Sequence, residues 1–285
     1  MNQLFLGLPA PAKLNLFLHV VGRRDDGYHL LQSAFQLVNL ADSLDIEGRD
    51  DGEIVREGDL LGPAEADLCV RAARLLKAAT GTPLGATIRV RKRIPAGAGM
   101  GGGSSDAATT LLALNRMWQL RLPREALAQL GLTLGADVPF FLFGSNAFVE
   151  GVGEIMRPLR LPARWFAVIW PGMHLATAEI FREPGLTRNS EPTTMSVFSA
   201  VAEESPTEIW GRNDLEIVAR NKAPAVGQAL DFLGRLGKPR MTGSGAAVFV
   251  ALNSETEVKM AIQDLPTGWK GWALRSMDRH PMSSW

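Results

Sequence analysis

The stretch IPAGAGMGGGSSDAAT, Ile94 to Thr109, constrains this chain more than any other. Five of the seven residues from Gly97 to Gly103 are glycine, and an apolar segment of helical period follows at once. Without a Cβ, a glycine backbone N–H can approach an anion closely. The first turn of a helix adds unpaired N–H groups and about half a positive charge. Ala107, Leu111, Leu114 and Trp118 share one face of the predicted helix, and Ser104, Ser105 and Asp106 suit its N-cap. Their oxygens are also of the type that meets a phosphate or a Mg2+ ion. A loose linker rarely abuts a capped amphipathic helix, so the loop is expected to hold phosphate.

Two common phosphate loops fail on inspection. Gly97, Gly99 and Gly102 match G-x-G-x-x-G, but that dinucleotide signature needs a buried parallel strand before it and an acid about 20 residues on. Here the preceding strand carries Arg89, Arg91, Lys92 and Arg93, and no Asp or Glu stands between Ala107 and Arg124. In the Walker pattern a lysine would follow Gly102, where Gly103 stands instead. The cation must then come from elsewhere in the chain.

Elsewhere the chain mixes strands and helices without βαβ alternation, which predicts an α+β fold. KLNLFLHVVG alternates Leu14, Leu16 and Leu18 with Asn15, Phe17 and His19, a strand with one strongly apolar face. DLCVRAARLLKAATG reads as a helix with Leu68, Ala72, Leu75 and Leu76 inward and Gly81 as C-cap. GATIRVRKRIP sets Ile88 and Val90 against Arg89 and Arg91, a half-exposed strand. LPREALAQLGLTLG is a second helix with Pro123 in its first turn. WFAVIW begins a fresh buried strand after two prolines, which places a boundary near Pro158 and predicts domains at 1–158 and 159–285. The Pro-, Ser-, Thr- and Glu-rich stretch from Arg182 to about Thr207 reads as a mobile surface loop. MTGSGAAVFVAL is a glycine turn into a strand, followed by one helix and one strand.

Thirty basic and thirty acidic side chains balance, so no global field draws nucleic acid or an anionic membrane. A single cysteine, Cys69, excludes an intrachain disulfide and a thiolate metal cluster. His19, His174 and His280 show no ligand spacing, so no structural metal site is expected. The opening MNQLFLGLPAPAK lacks a basic n-region and a long apolar h-region, and a cytoplasmic protein, monomeric or homodimeric, is the expectation.

The loop IPAGAGMGGGSSDAAT closely resembles the phosphate loop of the GHMP kinase superfamily. PAPAKLNLFLHVVGRRDDGYHLLQS near the start, GLTLGADVPFFLFGSNAFVEGVGE in the middle and RMTGSGAAVFV near the end match in type and order, so the likeness spans Pro9 to Val250. It implies a two-domain GHMP kinase fold with the active site in the inter-domain cleft, and transfer of a phosphoryl group from ATP, accompanied by Mg2+, to a hydroxyl. DGYHLLQS further implies a cytidine diphosphate-linked alcohol as substrate. Carried over residue by residue, Lys13 and Asp137 form the catalytic pair, and Lys13 is then a cation the loop lacks. Pro95, Ala96, Gly97, Ala98, Gly99, Met100, Gly101, Gly102, Gly103, Ser104 and Ser105 hold ATP, with Ser105 near the metal. Tyr28 stacks on the base and His29 bonds its edge, with Phe181 as a second wall. Asn15, Thr177, Thr242 and Gly243 contact the substrate. Asp67 departs from the family, which often has Asn before this helix, so the resemblance assigns no adenine or ribose contact here.

Overall fold

A computed structural model describes residues 3–60, 62–205 and 207–285. Met1 and Asn2 of the opening segment and Pro206 of the polar stretch lie outside the described residues. Strand β1 (Leu4–Arg23) and strand β2 (His29–Arg49) form a long antiparallel hairpin. Pro9 and Pro11 are tolerated in β1 because the stretch around them pairs with β2, and the register shifts after Pro11. β3 (Ile54–Gly58) lies parallel to β4 (Gly85–Arg91), joined through a 3-10 turn and helix α1 (Leu68–Thr80). Helices α2 (Gly102–Met117), α3 (Arg124–Leu132) and α4 (Val138–Phe143) follow, then strands β5 (Ala147–Gly151) and β6 (Ile155–Pro158).

The second half begins with β7 (Trp165–Trp170) and helices α5 (Thr177–Arg182), α6 (Met195–Glu204), α7 (Glu216–Lys222) and α8 (Pro224–Leu233). It ends with β8 (Arg240–Met241), β9 (Val248–Leu252), α9 (Glu255–Ala261) and β10 (Lys270–Met277). Strand β10 joins the halves: Lys270 to Arg275 pair with β7, and Ser276 and Met277 pair with β2. The sheet therefore runs β3-β4-β2-β10-β7-β9-β8, with β1, β5 and β6 attached at β2, and every pairing but β3 with β4 is antiparallel. Mixed helix and largely antiparallel sheet is the α+β class the sequence predicts. Among the described residues no helix is long and apolar enough to cross a membrane.

Three apolar clusters hold this frame. One packs β2 and β4 against α1, α2 and α4 through residues such as Leu44, Ile88, Leu111 and Phe140. Another joins β7, β8 and β9 to α7 and α8 through Ile169, Val218, Leu230 and Val250. Between them Leu14, Phe17, Phe166 and Phe249 form the third. Burying each such side chain is worth about 1.5–3 kcal/mol. The last residues return to the first half. Met282 sits in its cluster, and Arg124 donates to the carbonyls of Leu142 and Met282.

Four local expectations need correction. β1 has both faces buried, Asn15, Phe17 and His19 as fully as Leu14, Leu16 and Leu18. Cover on both sides removes the polar face that alternation predicts. Helix α2 starts at Gly102, inside the glycine run, with Gly101 at its N-cap in the left-handed region (φ 74°) and no side-chain cap bond. Ser104 and Ser105 therefore lie in the first turn and Asp106 just beyond it, and none is the cap. Nor does α2 have a single apolar face. It is buried all round from Ser105 to Leu114 because β1, β2, α1, α3 and α4 surround it. Finally, the polar stretch from Arg182 contains the ten-residue helix α6, capped by Thr194, with Phe198 and Ala202 in the core. Its apolar residues recur at helical spacing beneath a composition that reads as loop. Elsewhere expectation and structure agree: Gly81 C-caps α1 at φ 66°, and Arg89 and Arg91 face out of β4. Pro123 stands one residue before the first turn of α3, at its N-cap.

Candidate active site

The loop from Ile94 to Gly101 is shaped by what binds its carbonyls. Ala246 and Ala247 donate their N–H groups to the oxygens of Gly97 (3.2 Å) and Ala98 (3.1 Å). Thr242 Oγ1 donates to Gly99 O at 3.3 Å, and the Lys13 N–H donates to Met100 O at 3.0 Å. Four consecutive carbonyls thus face the scaffold. Because a trans peptide points its N–H opposite to its C=O, the N–H groups of Ala98, Gly99, Met100 and Gly101 point away from those donors. Gly99 is required here: at φ +75°, a Cβ would lie 2.1 Å from Thr242 O. The second glycine turn, Thr242 to Gly245, therefore interlocks with the loop.

Lys13 and Asn15 rise from β1 beside this loop. Lys13 is buried, its amine hydrogen-bonded to Asn15 Oδ1, 3.3 Å from Asp137 Oδ2 and 4.5 Å from the centre of the Phe35 ring. Asp137 stands at the N-cap of α4, yet its side chain caps nothing there. It keeps a third of its surface exposed and turns to Lys13. Asn15 is fully engaged by protein: its N–H donates to Thr242 Oγ1 (2.9 Å) and its amide to Ser33 Oγ (3.0 Å). It positions Lys13 as much as it offers itself to a ligand.

These residues line one cleft of about 1070 Å³, walled by both halves of the chain. Pro95 through Ser104, Lys13, Asn15, Asp137, Tyr28, His29, Thr177, Phe181 and Gly243 all face it. Ser105 and Thr242 do not. Both are fully buried, Ser105 Oγ without a hydrogen-bond partner among the described residues and Thr242 facing inward to Asn15 and Gly99. Thr177 Oγ1 bonds Ser244 Oγ at 2.7 Å, tying α5 to the second glycine turn. Tyr28 is 65% exposed at the rim, on the turn made by Arg24 and Gly27. The ring of Phe181 lies against His29, centroids 5.0 Å apart and 32° between planes.

Sequence reasoning missed several cleft residues. Lys92 bonds both Asp42 (2.5 Å) and Asp106 (2.6 Å) at the foot of α2. Burial pushes the Asp106 carboxyl up to about 7; Lys92 opposes that and Asp42 reinforces it. For Lys92, burial alone would lower the pKa, but the two carboxylates outweigh it and raise it. Asp42 also accepts from the backbone N–H groups of Arg93 and Ile94. His174 lies over Gly97, where a Cβ would collide with its ring. Arg188 Nε donates to His29 Nε2 at 3.1 Å. Lys92 and Asp106 had a local signal, their place beside the loop; Asp42, His174 and Arg188 are brought in by tertiary packing. Asp67, where the family often has Asn, caps α1 through the Cys69 N–H and pairs with Arg56 at 3.0 Å.

A glycine loop on a helix start, a lysine–aspartate pair beside it and an aromatic end in one cleft define a sugar- or alcohol-kinase site of GHMP type. Residues 67–145 match the family described as GHMP kinases N terminal domain. The chain is 53% identical to the 4-diphosphocytidyl-2-C-methyl-D-erythritol kinase of Thiobacillus denitrificans (strain ATCC 25259 / T1), covering 99% of this chain and 98% of that one. It is 54% identical to the enzyme of that name from Azoarcus sp. (strain BH72), over 97% and 95% of the two chains. A crystal structure of 4-(cytidine 5'-diphospho)-2C-methyl-D-erythritol kinase superposes with TM-score 0.82 at 36% identity, over 96% of this chain and 99% of that one. The Methanococcus jannaschii mevalonate kinase shares the fold at TM-score 0.67 and 15% identity, over 98% of this chain and 99% of that one. The chain belongs to the 4-diphosphocytidyl-2-C-methyl-D-erythritol kinase family.

Proposed function

We propose that this chain transfers the γ-phosphoryl group of MgATP to the 2-hydroxyl of 4-diphosphocytidyl-2-C-methyl-D-erythritol, giving the 2-phosphate and ADP. The step belongs to the non-mevalonate route to isoprenoids. The observation that carries the reading is the Lys13–Asp137 pair, 3.3 Å apart beside the glycine loop, in the cleft that also holds Tyr28, His29 and Phe181. Residues 1–158 supply the nucleotide loop and the catalytic pair; 159–285 supply Thr177, Phe181 and the second glycine turn.

Phosphoryl transfer has a loose transition state, so positioning and charge neutralisation carry most of the rate. The loop N–H groups and the α2 terminus receive the phosphates. Asp137 accepts the hydroxyl proton or holds the hydroxyl in line, and Lys13 neutralises the charge that develops. Mg2+ enters with ATP as the partner of its phosphates. Ser105 is walled off from the cleft, so Ser104 is the better-placed hydroxyl of the pair.

The test is ADP release from MgATP with each of three alcohols: the cytidine-linked erythritol, mevalonate and homoserine. Release that depends on the first alone is expected. Background release with it, alongside turnover of either other alcohol, would keep the kinase and discard the substrate.

A further inference from the structure

The nucleotide loop opens after β4 and closes at the start of α2, and both of its ends rest on one side chain of β2. The ladder between β4 and β2 stops at Arg91, which pairs with Ser43. From there the carboxylate of Asp42, wholly buried, supplies the acceptors that a strand would have offered. One of its oxygens receives the backbone N–H groups of Arg93 (2.5 Å) and Ile94 (2.8 Å), where the chain enters the loop. The other receives Lys92 Nζ at 2.5 Å, and the same amine donates to Asp106 on α2 at 2.6 Å, where the chain has left it. A buried carboxylate is stable only when paired and hydrogen-bonded, and three donors converge on this one. Gly102 closes the neck between the two ends: a Cβ there would lie 2.9 Å from Ile94 Cγ2 and 3.4 Å from Asp42 Oδ2. Lys92 and Asp106 line the cleft, whereas Asp42 stands behind them.

We propose that Asp42 is a positioning residue for the kinase reaction: with Lys92 as its bridge to Asp106, it sets the width of the loop's neck and so keeps the loop N–H groups spaced for the ATP phosphates. It touches no ligand and acts through the two ends of the loop. A loop held open in its binding shape does not have to be ordered by the nucleotide, and the affinity gained is the ordering avoided. Glycines alone cannot hold that shape, because they leave the backbone more freedom than any other residue. The inference rests on the placement of ATP in this loop proposed above.

Hydrogen exchange and steady-state kinetics on the whole enzyme test it. In the unmodified protein without nucleotide, the amides of Arg93 and Ile94 should exchange as slowly as those of β4; free exchange at both overturns the proposal. Asp42→Asn keeps an oxygen for those two amides but turns an NH2 donor toward the Lys92 ammonium, so it cuts the bridge alone. It should raise the KM for MgATP and the Kd for MgADP by about tenfold or more, with kcat and the KM for the alcohol within about threefold. Lys92→Met should do the same, and the double variant should be no worse than the poorer single one, because both substitutions cut one tie. Lys92→Arg, whose guanidinium can span two carboxylates, should recover part of the loss. If Asp42 serves stability alone, Tm falls while both KM values hold, and the proposal fails. Losses that multiply in the double variant overturn it equally. MgADP that slows exchange across residues 95–103 of the unmodified enzyme, with KM unchanged in the variants, sinks only this inference. A loop whose exchange MgADP leaves untouched sinks the placement of ATP with it.

Discussion

The Lys13–Asp137 pair should fail differently when cut from its two ends. At 3.3 Å and an effective dielectric of about 20, two unit charges attract by roughly 5 kcal/mol. Water at the one-third exposed Asp137 screens this to about 1–2 kcal/mol of net coupling. Lys13→Met removes a buried charge and leaves an apolar chain of similar length beside the Phe35 ring. The charge left behind, Asp137, is one-third exposed and stays hydrated, so stability should stay within about 1 kcal/mol. Asp137→Asn instead strands the Lys13 ammonium, buried, with Asn15 Oδ1 and the Phe35 ring beside it. That should cost about 1–3 kcal/mol. Both variants should lose turnover by about 10²–10⁴, since each removes a group that acts on the transferring phosphoryl or its acceptor.

Thermal unfolding and ADP release on the same three preparations separate the two effects. A chain of this size shifts its Tm by about 2–4 °C per kcal/mol, well within calorimetric resolution. The expected order of Tm is parent and Lys13→Met together, with Asp137→Asn below them. Turnover within tenfold of the parent in either variant would refute the catalytic assignment. A larger Tm loss for Lys13→Met than for Asp137→Asn would refute the argument from the buried charge.

The other predictions are shorter. Gly99→Ala must displace Thr242 O from 2.1 Å at a φ of +75°, so MgATP affinity should fall by tenfold or more, whereas Gly81→Ala, with open space around it, should cost only about 1 kcal/mol and leave kinetics unchanged. Burial, with Arg124 assisting, depresses His280 from 6.5 to about 4, so its stabilisation is present above pH 6.5 and is lost as pH falls through about 4. His280→Asn keeps an acceptor for the Met282 N–H and should flatten the Tm decline over that range; an unchanged decline would refute the assignment. Asp106 titrates the other way. Raised from 3.8 to about 7, its contribution is present below 3.8 and is lost as pH rises through about 7, so Asp106→Asn should gain on the parent in Tm from pH 5 to 8. A constant difference over that range would count against it.

What the sequence revealed and what it hid divide along a physical line. Gly81, the alternation of β4 and the apolar run of β7 are local: each residue's neighbours in sequence are its neighbours in the element. The glycine loop is legible for a related reason, since closeness of backbone to phosphate leaves glycine as the solution at several positions at once. The start of α2 was misplaced because serine advertises a cap, while Gly101 at φ 74° ends the loop without a side chain to show it. The buried polar face of β1 and the helix α6 depend on layers packed over them from far along the chain. The site's supporting residues are the extreme case. Thr242 meets Asn15 across 227 residues and Arg188 meets His29 across 159, so no window along the chain contains either pair. The groups that touch ligand carry a motif because chemistry fixes their type and order. The groups that orient them need only arrive at the right place, and the fold can bring them from anywhere. For that reason the Lys13–Asp137 pair is proposed from sequence, while the contact of Arg188 with His29 emerges only from the folded chain.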